Sequence, residues 1–393
     1  MVIFGRNGGL LERGAAVLPR LQCYCIPMPD FLSPELQALR ERALTLARGP
    51  LTTLLGKNEL EPKARESQAR AASKAAEIYS LTQDKNTSAM ALLVAREALA
   101  MHGVTQLSGI FGAAPGLLAN VEEPLRSTHL LPLLSGEKRT GFAFTEPANA
   151  PRPSWASVDG QTLVVTGQKS YVTGGADASF ITALLEIEGE GPSMVVIDCD
   201  LPGVSITRRF ESLDGSHHAA FQFDAVRVPR HHAIGAPGEG RTQAMQNISA
   251  VRRAVAAECL GSCIYILDLV ANELQRDRKG IKKSDSERVR LRFGGMLIQA
   301  YAARSMVYRT ARLADAGENV VNETIAAKVF ASETANQIAD MAIQLLGGEA
   351  LVYGHPLEAQ MRRLRGLRLA EGESDTLRAN LSRGFLDLGK GRI

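Results

Sequence analysis

Apolar and polar residues alternate in different ways in three parts of the chain. From Ser33 to about Gly136 the residues are good helix formers, and from Thr242 to the end apolar residues recur three, four and seven positions apart. Between about Thr140 and Pro229 apolar residues recur about every second position, which predicts strands. The order along the chain is therefore helical, β, helical.

Particular residues indicate where the predicted helices begin and end. Ser33 precedes Pro34 and Glu35, which predicts a helix with a capping side chain, a proline in its first position and an acid in its first turn. Gly347-Gly348 predicts a left-handed end to the last long helix. Three long helices suit a four-helix bundle; they are predicted at residues 242–275, 287–316 and 322–346.

The middle part predicts an all-β module of about ninety residues. A hairpin loop is predicted at Gly189–Pro192, and Gly167 is interpreted as a break between two short strands. The predicted strands lie at residues 163–166, 171–173, 180–187, 194–197 and 221–228.

Length, charge and composition limit the kinds of protein that this chain can be. With 393 residues the chain is long enough for two or three domains, and a net charge of +3 gives no reason to expect a nucleic-acid partner. No apolar run is long enough to predict a membrane span. Five cysteines without a pairing pattern favour a reducing, cytoplasmic setting. Residues 1–30 are predicted to be a flexible N-terminal extension. The alternative is an organellar transit segment, which would place the protein in the mitochondrial matrix.

Four segments, in order, resemble the signatures of the acyl-CoA dehydrogenases. They are Gly141–Pro147, Gly167–Thr173, Gln344–Gly348, and a last one with Glu358, Arg362 and Glu371-Gly372. The resemblance implies an α+β multidomain fold with a helical domain, a β-barrel or sandwich, and a C-terminal four-helix bundle. Its expected boundaries are residues 31–138, 139–230 and 231–393.

The resemblance also implies FAD, held between the β and C-terminal domains and completed by a neighbouring subunit. An isoalloxazine needs donors at its polar edge and apolar cover on its faces. The residues expected around the ring are Phe142, Phe144, Thr145, Tyr171 and Thr173, although the same residues are simply good strand formers. Those expected at the adenine and diphosphate end are Arg276, Gln344, Gly347 and Gly348.

Glu371 is the expected catalytic base. In the family this carboxylate removes the proton alpha to a thioester while the beta hydrogen leaves as hydride to the flavin. Such a base must be shielded from water to be strong enough, and the apolar residues before it favour burial; a solvated acidic turn is the alternative. Gly372 would leave amides open to the thioester oxygen, and Arg252 would lie near the mouth of the acyl-CoA channel.

Departures from the family pattern leave other functions open. Ala150-Pro151-Arg152 stands where the family has Gly-Ser-Asp, and Lys279 and Glu287 replace residues of the diphosphate end. The leading hypothesis is an acyl-CoA dehydrogenase, a homodimer or homotetramer that passes electrons to an electron-transfer flavoprotein and takes a bulky, branched, cyclic or polar acyl group. The alternatives are oxidase or monooxygenase chemistry on the same fold, or a non-catalytic subunit paired with a homologue.

Other clusters are interpreted structurally. The adjacent pairs His217-His218 and His231-His232 would point to opposite sides of a strand, so no metal site is expected. Glycines at 235, 238 and 240 predict a turn rather than a nucleotide loop, because they lack a βαβ context. The arginines between 362 and 368 are typical of a solvated helix face, with CoA phosphates or a partner subunit as the alternative.

Overall fold

The structure is a computed structural model that describes residues 32–55, 60–105, 107–277 and 279–389. The predicted N-terminal extension therefore lies outside the described residues. The fold is a helical N-terminal part, a central sheet and a helical C-terminal part, as the sequence predicts.

Short helices form the N-terminal part. Ser33 accepts a hydrogen bond from the amide of Leu36 (3.4 Å), so the predicted helix cap is confirmed. The α-helices of this part are α1 (Pro34–Leu46), α2 (Thr52–Leu55), α3 (Pro62–Ala75), α4 (Ala89–Ala100) and α5 (Leu131–Ser135).

Eight strands of the described residues make one connected sheet. Their order is β6-β7-β3-β2-β4-β5-β8, and β1 pairs with the first half of β4 beside β2. The strands are β1 (Thr140–Ala143), β2 (Trp155–Asp159), β3 (Thr162–Thr173), β4 (Phe180–Ile187), β5 (Gly191–Asp198), β6 (Val204–Glu211), β7 (His217–Pro229) and β8 (Ala233–Ile234).

The C-terminal part is built around α6. This helix is long and apolar enough to cross a membrane by length and composition, but 78% of its most apolar window is buried within the protein, as in a core helix. The helices here are α6 (Gly240–Gln275), α7 (Glu287–Asp315), α8 (Val321–Leu346), α9 (Pro356–Leu367) and α10 (Ser374–Leu386).

The N-terminal helices share a core with the C-terminal ones. Residues of α4 lie in the same apolar cluster as α6 to α9. A Cβ atom at Gly261 of α6 would lie 2.4 Å from the backbone oxygen of Glu97 on α4, so only glycine allows this crossing. Beside it, the buried Glu97 carboxylate accepts hydrogen bonds from Arg304 Nε (2.7 Å) and the Tyr308 hydroxyl (2.6 Å) of α7.

The structure corrects several details of the strand prediction. Gly167 does not end a strand: β3 runs through it with φ at 146°, although its pairing with β7 is irregular between Val165 and Gly167. A Cβ there would lie 2.6 Å from Ser154, so the position needs glycine. The predicted hairpin loop is shorter, since Gly191 already belongs to β5. Strands β2, β6 and β8 were not predicted. Gly347 has positive φ (93°) but ψ of −171°, a glycine-only conformation other than the left-handed helical one expected.

Candidate active site

Glu371 lies in the turn between α9 and α10, residues 368–373, here called the Glu371 turn. Its φ is +57°, and that of Gly372 is +108°. A non-glycine residue at positive φ is strained and persists only where the surroundings hold it. The Glu371 side chain is partly buried, in keeping with the shielding that a carboxylate base needs.

Two buried cations hold the Glu371 turn against the long helices. Lys328 of α8, fully buried, donates from Nζ to the backbone oxygens of Arg368 (3.0 Å) and Gly372 (2.8 Å). Arg252 of α6 donates from Nε to the backbone oxygen of Glu371 itself (2.9 Å). The turn is therefore tied to two helices through its backbone, which leaves the Glu371 carboxylate free of these bonds.

Burial and charge act in opposite directions on Glu371. Burial raises the pKa of its carboxyl group, and the positive charges of Arg252 and Lys328 partly oppose that rise. Burial also lowers the pKa of Lys328 to about 8. A carboxylate with a raised pKa is a stronger base, so the turn has the property that proton abstraction requires.

Thr145, Tyr171 and Thr173 lie exposed where β1 and β3 adjoin; we call them the flavin face. The amide of Ser170 donates to the oxygen of Thr145 (2.9 Å), which ties the two strands together. Between Lys169 and Val172 the pairing of β3 with β7 is irregular, and Tyr171 takes a φ of +52° and is 60% exposed. An exposed aromatic ring and two exposed threonine hydroxyls suit a ligand that stacks and forms hydrogen bonds.

Phe142 and Phe144 are placed differently from the other predicted flavin residues. Their rings stack 5.9 Å apart and pack against an apolar cluster of residues 118–134 and the sheet. Next to Phe144 and Thr145 is a cavity of about 320 Å³, where the buried Lys169 Nζ pairs with Glu146 (2.6 Å).

The residues expected at the adenine end come together on one exposed end of the helical bundle. Gln344, Gly347 and Gly348 are exposed, and added Cβ atoms at the two glycines would meet nothing within 4 Å. Lys283 donates to the oxygens of Leu345 (3.3 Å) and Leu346 (3.1 Å), which brings the loop after α6 to the end of α8. Arg276, at the end of α6, is exposed and lies near Glu273 (3.6 Å).

One arginine joins the helix that leads to Glu371 to the sheet behind the flavin face. Arg363 of α9 donates from Nη1 to Asp214 in the β6–β7 turn (2.7 Å) and from Nε to Glu258 of α6 (2.6 Å). These bonds raise the pKa of Arg363 and so keep it charged. The arginine cluster predicted to be solvated is thus partly structural at this position.

Comparisons with known proteins give similarities to one family. Residues 238–386 match the family model described as "Acyl-CoA dehydrogenase, C-terminal domain". The human mitochondrial short-chain specific acyl-CoA dehydrogenase is 30% identical over 258 residues, 63% of each chain. The family model and this relative support an acyl-CoA dehydrogenase family member. The aligned part spans under two thirds of the human relative.

Two further proteins are similar to this chain, one in fold and one in sequence. A glutaryl-CoA dehydrogenase from Mycobacterium smegmatis, solved in complex with FADH2, superposes with a TM-score of 0.79 at 17% identity, over 92% of this chain and 96% of that one. The caffeyl-CoA reductase–Etf complex subunit CarC of Acetobacterium woodii is 28% identical over 271 residues, 66% of this chain and 71% of its own. The fold class predicted from the sequence is confirmed.

The segment that departs from the acyl-CoA dehydrogenase pattern is exposed. Pro151 and Arg152 lie on the surface, and the Arg152 guanidinium stacks over the Trp155 ring at 4.2 Å from its centroid. The arginine that stands where the family has an aspartate is therefore in contact with a neighbouring aromatic ring. Lys279 and Glu287 are also exposed, at the same end of the bundle as Gly347.

His232, from one of the adjacent histidine pairs, joins two other possible metal ligands. Ligand atoms of His129, Asp198 and His232 lie within 4.8 Å of one another. Each is already bonded: His129 Nε2 lies 3.0 Å from Asp198 Oδ1, and His232 Nδ1 lies 3.0 Å from the oxygen of Val196. His129 belongs to the N-terminal helical part, Asp198 to β5 and His232 to the turn between β7 and β8, so we interpret the cluster as a hydrogen-bonded link between the N-terminal part and the sheet domain.

Two functional candidates were missed in the sequence. Lys328 sits in the middle of a regular helix, where nothing in the pattern marks it as a support for a distant turn. His218 was considered only as a possible metal ligand. In the structure it lies behind the flavin face, with Nδ1 at 3.2 Å from Thr173 Oγ1.

Proposed function

We propose that this member of a family of oxidoreductases catalyses FAD-dependent α,β-dehydrogenation of an acyl-CoA thioester, with Glu371 as the base. The observation that carries the proposal is the Glu371 turn: a carboxylate of raised pKa, on a backbone fixed by Arg252 and Lys328. A merely solvated acidic turn would need no buried lysine behind it.

The residues present suit a flavin. The flavin face offers an exposed ring and two hydroxyls, and the open glycines at 347 and 348 allow a ligand to approach the end of α8 closely. When bound, FAD would supply the two-electron acceptor for the hydrogen that leaves the beta carbon. Thr145, Tyr171 and Thr173 would hold its ring, and Gln344, Gly347, Gly348 and Arg276 would hold the adenine and diphosphate of a second subunit's cofactor.

The proposed contacts with the substrate are made by the Glu371 turn and by Arg252 beside it. Glu371 would take up the alpha proton on its carboxylate, and the amides next to Gly372 would donate to the thioester oxygen. Arg252 contributes a positive charge next to the turn, which favours the charged form of Glu371 and an enolate-like substrate alike.

The partners are also proposals. We expect a homodimer or homotetramer, because the adenine-end residues are exposed on a single chain. The relative CarC is named as a subunit of an Etf complex, which supports an electron-transfer flavoprotein as the acceptor here.

The test is anaerobic mixing of the purified protein, loaded with FAD, with a panel of straight-chain, branched, cyclic and carboxylated acyl-CoAs. Bleaching of the visible flavin absorbance by one class, with the enoyl-CoA as product, is the expected result. A yellow protein that no acyl-CoA bleaches would contradict the proposal.

A second candidate is a non-catalytic subunit that pairs with a homologue. It is favoured by the exposed Lys279 and Glu287 at the diphosphate end and by the altered segment at residues 150–152. A chain that remains colourless after reconstitution with FAD, and that light scattering finds in an oligomer only with a flavin-binding homologue, would support this candidate.

A further inference from the structure

His218 is the centre of a hydrogen-bonded cluster directly behind the flavin face. It lies on β7, where it pairs with Thr173 of β3, and only 8% of its surface is exposed. Its Nδ1 is 3.2 Å from Thr173 Oγ1, and its Nε2 is 2.9 Å from Ser212 Oγ and 3.0 Å from Ser216 Oγ. Its ring also stacks on Phe210 and touches Tyr171.

The direction of each hydrogen bond in this cluster can be worked out. Ser216 Oγ donates its one proton to Asp214 Oδ1 (2.6 Å), so towards His218 it can only accept. His218 Nε2 must therefore carry a hydrogen, which the oxygens of Ser216 and Ser212 both accept. Burial lowers the pKa of His218, which favours the neutral ring, and a neutral ring protonated on Nε2 has a lone pair on Nδ1. Thr173 must then donate its hydroxyl proton to Nδ1.

Asp214 fixes the directions of the hydrogen bonds in this cluster. Its second oxygen accepts from Arg363 of α9 (2.7 Å), and its pKa is lowered by the bonds from Ser216 and Arg363, although burial opposes them. A charged Asp214 can only accept hydrogen bonds, so the proton of Ser216 cannot turn towards His218. The orientation of Thr173 is thus set from the C-terminal helices, through four side chains.

We propose that His218 is a positioning residue that holds the Thr173 hydroxyl as a hydrogen-bond acceptor towards the flavin and thereby favours the reduced cofactor. The proposal rests on the proposed function, since it needs a flavin at the flavin face. In oxidised flavin the ring nitrogens that take part in the reaction accept hydrogen bonds. Two-electron reduction adds a hydrogen to a ring nitrogen and turns that acceptor into a donor. A threonine oxygen that can only accept therefore matches the reduced ring better.

The test is the midpoint potential of bound FAD in four variants, measured by equilibration with a reference dye. His218→Phe keeps an aromatic ring beside Phe210 but has no acceptor, so Thr173 can donate to the oxidised ring. We expect the ratio of reduced to oxidised flavin at a fixed potential to fall by on the order of tenfold, which is about 30 mV for a two-electron couple. His218→Asn can place an amide oxygen near the Nδ1 position and should restore a ratio close to that of the unmodified chain.

The third and fourth variants show whether the effect passes through Thr173. In Thr173→Val there is no hydroxyl to orient, so adding His218→Phe to it should leave the potential unchanged. An equal shift in both backgrounds, or no shift in His218→Phe alone, would overturn this inference while leaving the proposed function intact. An unmodified chain that takes up no FAD would overturn both.

Discussion

At the scale of single residues, the account depends on how strongly Glu371 holds a proton. Burial raises the pKa of its carboxyl group, and the positive charges of Arg252 and Lys328 lower it, so this pKa is set by two opposing effects. Only the deprotonated carboxylate can remove a proton. The rate of substrate-driven flavin reduction should therefore rise with pH as the solution passes through the raised pKa of Glu371.

Removal of the Arg252 charge should shift that balance. In Arg252→Met the remaining burial raises the pKa of Glu371 further, so the acid limb of the rate profile should move to higher pH. The matched control is Arg253→Met, because Arg253 interacts with Asp315 and not with Glu371. If stopped-flow measurements give the same pH profile of the reduction rate for Arg252→Met and the unmodified chain, the Arg252 charge does not affect the pKa of Glu371.

At the scale of elements, the Glu371 turn depends on a lysine from another helix. Lys328 Nζ binds two backbone oxygens of the turn from a fully buried position on α8. Water does not readily replace a buried donor, so its loss leaves acceptors unsatisfied. The strained φ of Glu371 is maintained by the same contacts.

Lys328→Met should therefore lower the free energy of unfolding by about 1–3 kcal/mol and slow flavin reduction. Lys283→Met is a matched control, since Lys283 also donates to two backbone oxygens, those of Leu345 and Leu346, but from a partly exposed site at a helix end. Its loss should cost under about 1 kcal/mol. Equal losses for both in urea unfolding would argue against a special role for burial of Lys328.

At the scale of the whole molecule, buried ionic contacts join the parts of the chain. The network of Glu97, Arg304 and Tyr308 links α4 to α7, and Arg363 links α9 to the sheet. A buried charge that loses its partner is strongly destabilising, whereas an exposed pair contributes little. The relative position of the flavin face and Glu371 follows from these links.

Glu97→Gln should accordingly lower the free energy of unfolding by about 3–5 kcal/mol, because it leaves the Arg304 charge buried without its counter-ion. Glu66→Gln is the comparison, since Glu66 pairs with the more exposed Arg70 and Arg139 and should cost at most about 1 kcal/mol. Thermal and urea unfolding of the two variants would check the difference. Similar costs would mean that the buried network is not what joins α4 to α7.

At this scale, some elements and residues could be predicted from the sequence and others could not. Helices α6, α7 and α8 were predicted to within two residues, because helical periodicity is a local property. The edge strand β6 is mostly exposed and polar, so it gives a weak pattern. Glu371 was recognisable from its motif. His218 was not, because its partners at positions 173 and 212 meet it only through the register of β3, β6 and β7.

The most direct test of the central claim is a single turnover of flavin reduction in Glu371→Gln. The amide is nearly isosteric, so the variant should fold, bind FAD and stay yellow, yet react about 10² to 10⁴ times more slowly with the best acyl-CoA under anaerobic conditions. Glu373→Gln, two residues along, changes only the cap of α10 and should react at nearly the unmodified rate. A Glu371→Gln protein that bleaches its flavin as fast as the unmodified chain would contradict the account.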